Sequence, residues 1–141
     1  MRKTFNATKR NDLFGKRRSI FLEGVVHGTQ PFPLASRKGP LVTTSAVFGV
    51  DPKTGKLPTE ATDQIRLAFS NLEKILIVAG GSMDDISQVI VTLSSMKDRE
   101  AVNKFWCEWF PDPDSRPSRN TTERELPGGA IISLISIAWI I

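Results

Sequence analysis

The chain has 141 residues, 40% of them apolar and 24% charged; this length fits one compact domain with an ordinary core and excludes disorder along the whole chain. Cys107 is the one cysteine and His27 the one histidine, which excludes an internal disulfide, a zinc site of Cys and His within one copy, and a c-type haem attachment. The formal net charge of +4 is uneven: residues 1–18 hold seven Lys and Arg against Asp12, a local +6, while the other 123 residues carry twelve cations against fourteen acids.

Residues 1–18 are therefore read as a flexible basic arm and 19–141 as the domain. The arm lacks the apolar stretch of a secretory signal, so a cytoplasmic location is expected. An organellar presequence is the weaker reading, because Asn6, Asn11, Asp12 and Gly15 spoil an amphipathic helix. Nucleic acid could be held only by this arm, since basic residues elsewhere are scattered among carboxylates.

In chain order, residues 19–26 read as a strand and 28–33, with Gly28, Pro31 and Pro33, as a loop. Residues 41–50 are extended and β-branched, broken by Gly49, and Asp51-Pro52-Lys53-Thr54-Gly55 is a tight turn. From Ala61 the period becomes 3.6: Ile65, Ala68, Phe69, Leu72, Ile75, Leu76 and Ala79 share one helical face, and Gly80-Gly81 ends the helix. Residues 86–93, with Val89, Ile90 and Val91 apolar on both faces, predict a central strand.

Asp98 is positioned to cap a second helix carrying Val102, Phe105, Trp106, Trp109 and Phe110, which Pro111 stops. A strand is expected near 119–125, a turn at Pro127-Gly128-Gly129, and a final strand in the uncharged stretch 128–141. That stretch is shorter than the ~20 residues of a membrane span, so it reads as a buried strand and no membrane partner is expected. Its apolar residues on both faces, with only two helices available, predict an α+β sheet whose helices cover one face and whose other face is hidden by oligomerisation.

Several motifs carry no chemistry. Gly49 to Lys56 has five residues between its glycines and Leu57 after the lysine, which does not make a Walker A loop. The triplets Asn6-Ala7-Thr8 and Asn120-Thr121-Thr122 matter as glycosylation acceptors only in a secreted chain. Nothing pairs His27 with Ser45 or Ser118 as base and nucleophile. Cys107, among Phe105, Trp106 and Trp109, reads as a packing residue. Arg119 opens a strand after Pro117; its fork either meets solvent or, aimed into a cleft, grips a carboxylate with two parallel hydrogen bonds.

The ordered set Gly39-Pro40-Leu41-Val42-Thr43-Thr44-Ser45, Asp51-Pro52-Lys53-Thr54-Gly55, Asn71-Leu72, Asp84-Asp85-Ile86, Ala101-Val102-Asn103 and Arg119 before Leu126-Pro127 resembles the RidA family, also called YjgF, L-PSP endoribonuclease or translation-initiation inhibitor. The resemblance spans residues 19–140. It implies a chorismate-mutase-like fold with a mixed sheet, two helices on one face, and a homotrimer with a ligand cleft at each subunit interface. It also implies that Arg119 grips the carboxylate of a 2-imino acid, that Ser45 and Ala46 supply polar and backbone contacts, and that Phe32 lines the cleft. Water then attacks the imine carbon to give a 2-oxo acid and ammonia, with neither metal nor cofactor.

The sequence departs from the family pattern at three places: Phe32 stands where tyrosine is usual, Asn120 where a small residue follows the arginine, and Ser133 where active members place a glutamate in the last strand. A serine hydroxyl holds water but is a weak base. Slow or absent deamination with ligand binding retained is the resulting expectation, with Arg119 and Ser133 as the residues nearest the chemistry. The alternatives are a non-catalytic carboxylate binder and, from the family's older name and the basic arm, an RNA-binding or RNA-cleaving protein.

Overall fold

The structure, a computed structural model, describes residues 15–25 and 28–141. Most of the basic arm (1–14) and His27 lie outside the described residues. Among the described residues seven strands and two α-helices follow in chain order: β1 (Arg18–Ile20), β2 (Ala35–Lys38), β3 (Leu41–Thr44), β4 (Val47–Phe48), α1 (Ala61–Ala79), β5 (Ile86–Leu93), α2 (Arg99–Trp109), β6 (Ser118–Glu123) and β7 (Ile132–Trp139). The strands form one mixed sheet in the order β1-β2-β3-β7-β5-β6, with β4 also pairing β7. Among the described residues only β5 and β6 run parallel, joined by the crossover through α2. The α+β architecture with two helices on one face is the one the sequence predicts.

The core lies between the helices and that face. Ile65, Ala68, Phe69, Leu72, Ile75 and Leu76 of α1 are wholly buried against Val89, Val91, Leu93, Ile132 and Leu134 of β5 and β7. Two amides on the same helical stripe tie helix to sheet. Asn71 donates to the carbonyls of Phe48 (3.0 Å) and Val50 (2.8 Å), and Gln64 donates to Pro58 (2.8 Å) while accepting from the Ile131 amide (3.0 Å). The chain beside β4 approaches α1 so closely that a Cβ at Gly49 would stand 2.0 Å from the Gln64 carbonyl oxygen, which leaves room only for glycine.

Helix α1 ends at Gly80 in the left-handed conformation, φ +96°, as the glycine pair predicts. It has no basic residue in its last turn, and the sheet supplies the missing cations. Arg37 of β2 donates to the Ala79 carbonyl (2.5 Å) and Arg18 of β1 to that of Val78 (3.1 Å), offsetting the negative end of the helix dipole.

Four local expectations need correction. The strand expected over 19–26 stops at Ile20, because Glu23 and Gly24 turn the chain between the bridged Leu22 and Val25. Strand β2 was not expected; its polar Ser36, Arg37 and Lys38 hide its character, and it exists because it forms a hairpin with β3 across Gly39-Pro40. The extended run 41–50 divides into β3 and β4, as Ser45 bonds back to Leu34 and Pro33. Asp98 precedes α2 but its side chain makes no cap bond, and the Oδ2 atom is buried without a partner.

On the face away from the helices, Ile90, Ile135 and Ile137 are half-buried, while Leu41 and Trp139, paired across β3 and β7, stay exposed. Among the described residues no helix is long and apolar enough to cross a membrane.

Candidate functional site

Strand β6 is the outer strand beside β5, and its register sets Arg119 opposite Val89. Paired residues in neighbouring strands point to the same face, and Val89 is core, so the Arg119 side chain runs under α2. There it is held at two points. Its Nη2 donates to Oδ1 of Asn103 at 2.6 Å, and Cζ lies 5.0 Å from the centre of the Trp106 ring. Trp106 is itself fixed by burial and by an edge-to-face contact with Phe110, centroids 4.8 Å apart. A cation over an aromatic face gains roughly 0.5–2 kcal/mol, most when desolvated.

The Arg119 guanidinium is half-buried and, among the described residues, faces no carboxylate within ion-pair distance; the ion pair found there joins Arg66 and Asp63. Burial, and secondarily the positive charge of Arg99, lower the pKa of Arg119 from its ordinary value, against a smaller opposing effect of Cys107. A guanidinium stays protonated at physiological pH all the same. Asn103 takes one of five N–H donors, so a fixed cation with donors to spare stands at the edge of α2 and β6.

The other predicted residues are not gathered around it within one chain. Ser45, between β3 and β4, donates through Oγ to the Pro33 carbonyl at 2.8 Å and borders an open depression of about 490 Å³ with Thr43, Pro31 and Arg17. Ala46 is its half-buried neighbour. Phe32, 45% exposed, borders a smaller depression of about 140 Å³ beside Phe21, Leu22 and Val25. Three strand spacings separate β3 from β6, about 14 Å at ~4.8 Å each.

Ser133 is 2% exposed and lies on β7 opposite Phe48 and Thr92. Thr92 pairs in turn with Thr122 of β6, so Ser133 and Arg119 project from opposite faces of the sheet. Asn120 stands opposite Ile90 on the Ser133 face. Glu123 is spent locally, accepting from the Met96 amide at 2.8 Å. Among the described residues no three His, Cys, Asp or Glu side chains cluster as a metal site would require. Cys107, expected to pack, is exposed, with Sγ 3.8 Å from Nη2 of Arg116.

Sequence reasoning passed over Asn103 and Trp106 as partners of Arg119. The available signal was spacing: three residues apart on one helix face, with a polar side chain set into the stripe of Val102, Phe105 and Trp106.

Comparison with known proteins places the chain in a family. The family model described as Endoribonuclease L-PSP matches residues 26–133, and the chain belongs to that family. It is 31% identical over 122 residues to a RutC family protein of Pyrococcus horikoshii, covering 85% of this chain and 95% of the relative. It is 27% identical to the 2-iminobutanoate/2-iminopropanoate deaminase of Escherichia coli, over 86% and 96% of the two chains. Among solved structures it resembles Escherichia coli TdcF with bound serine, with a TM-score of 0.79, 25% identity, and coverage of 88% and 99%. These relatives bear out the resemblance to the RidA proteins.

Proposed function

We propose that this protein binds small 2-imino and 2-oxo acids by their carboxylate and hydrolyses the imines slowly, in a site completed between copies of the chain. The observation that carries the reading is the guanidinium of Arg119, held by Asn103 and Trp106 and, among the described residues, paired with no carboxylate. A fork with free donors and no protein anion suits a planar carboxylate, which it binds bidentately. The serine bound to the TdcF relative carries the same α-carboxylate, and the Escherichia coli relative takes its name from 2-imino acids.

In the reaction, water adds to the C=N carbon and the tetrahedral adduct expels ammonia, leaving C=O. The imine is already electrophilic, so anchoring and orientation supply much of the help an enzyme can give. Arg119 lies three strands from Ser45 and across the sheet from Ser133, so a cleft using all three draws them from more than one copy. A trimer packed through the open sheet face, where Leu41 is 40% and Trp139 57% exposed, covers the apolar patch.

Ser133 supports a second reading. The position expected to orient water carries no carboxylate, and a positioned acid or base is worth typically ~10²–10⁴-fold. Loss of that group leaves binding without useful turnover. One assay separates the two: 2-iminopropanoate generated in place by an amino acid oxidase, followed by ammonia release. Acceleration that vanishes in Arg119→Ala supports the deaminase. Binding of 2-oxobutanoate without acceleration supports the binder, and neither binding nor acceleration rejects both.

A further inference from the structure

We propose that Arg99 is a second anion contact beside Arg119, so that the preferred ligands are 2-imino or 2-oxo acids bearing a second carboxylate. This inference rests on the proposed role of Arg119 and narrows it to a substrate class. Arg99, Asn103 and Trp106 stand at i, i+4 and i+7 on α2, one continuous stripe of the helix. Asn103 and Trp106 both touch Arg119, so that stripe faces the guanidinium, and Arg99 extends it by one turn, ~5.4 Å along the axis.

Two costs fall on Arg99 that no ion pair among the described residues offsets. It is the first residue of α2, the positive end of the helix dipole, where a cation is disfavoured. Its charge also acts against that of Arg119. Nor does a neighbouring acid compensate: Glu123 bonds the Met96 amide, and neither it nor Asp98 pairs with a cation among the described residues. Arg99 on that stripe and Arg119 facing it are like charges, neither paired with an acid among the described residues, and they repel until an anion bridges them. A dianion does so with one group per guanidinium, and a monoanion leaves one charge unanswered. Arg116, the other guanidinium nearby, is occupied by the Phe110 carbonyl at 2.8 Å and closes the end of α2.

The test is binding of 2-oxo acids to the full chain by calorimetry, comparing oxaloacetate and 2-oxoglutarate with pyruvate and 2-oxobutanoate. Arg99 is exposed, so screening keeps the gain modest: a preference of about three- to tenfold for the diacids, shrinking as salt rises. Arg99→Gln should bring the ratio of affinities to about one, whereas Lys104→Gln, which removes an exposed cation elsewhere on α2, should leave it. Equal affinities in the unsubstituted protein overturn the proposal while leaving Arg119 as carboxylate anchor. So does an equal loss of preference in Lys104→Gln, which would mark a general effect of positive charge. If no 2-oxo acid binds, the anchor and this inference fall together.

Discussion

Arg119 and Ser133 project from opposite faces of one sheet, the first under α2 and the second between β4 and β5. One copy of the chain therefore cannot set both against a single small ligand. Subunit assembly becomes a condition of any chemistry that uses the two, and dilution below the dissociation range should abolish turnover while secondary structure persists. Light scattering and activity measured across one concentration series check this; full activity in a monomer contradicts it.

The anchor itself should be sensitive to shape as well as charge. Arg119→Ala should weaken 2-oxobutanoate binding by about 10–100-fold, the range of a charge-assisted pair. Arg119→Lys should recover little, because an ammonium lacks the planar fork and its two-point fit to a carboxylate. Calorimetry on both variants, with circular dichroism to confirm folding, decides the matter.

Asn103 acts through Arg119. Its carboxamide accepts the 2.6 Å bond that orients the guanidinium, so Asn103→Ala should weaken binding several-fold by leaving the fork mobile. Asn103→Asp should weaken it further, since a carboxylate placed there pairs with Arg119 and competes with the ligand. A packing role alone would not distinguish the two substitutions in this way.

Affinity should be flat between pH 6 and 9. Burial and Arg99 lower the Arg119 pKa, yet arginine keeps its proton throughout that interval. The depressed value means the fold disfavours the charged form. Its effect on stability is therefore a constant cost at neutral pH, lifting only in strongly alkaline solution as pH rises from the lowered value toward the unfolded one. A titration of binding by calorimetry checks the plateau; a midpoint near neutrality would assign recognition to another group.

Two positions should govern stability without touching the ligand. Gly49→Ala drives a methyl group to 2.0 Å from the Gln64 carbonyl and should cost about 1–3 kcal/mol or more, as overpacking does. Arg37→Ala uncaps the end of α1 and should cost about 1–2 kcal/mol. Thermal melts of the two variants should both fall, Gly49→Ala the further.

How much of this was legible in the sequence follows from where the information lies. Helix α1, its glycine stop and strand β5 announce themselves because their periodicity is local. Strand β2 does not: Ser36, Arg37 and Lys38 follow no apolar alternation, and the strand exists through its pairing with β1 and β3. Arg119 was found by family pattern and by its position after Pro117. Its clamp of Asn103 and Trp106 depends on how α2 settles over β6, which no spacing within either element states. The same holds for the opposite facing of Arg119 and Ser133, which is fixed by register across three strands.

The most direct measurement is a crystal structure of the full chain soaked with 2-oxobutanoate. The account predicts the carboxylate on the Arg119 guanidinium, with both oxygens in hydrogen-bond range, and a neighbouring copy closing over the keto group. A ligand bound elsewhere, or an Arg119 still bonded to Asn103 alone with no second copy nearby, would contradict it.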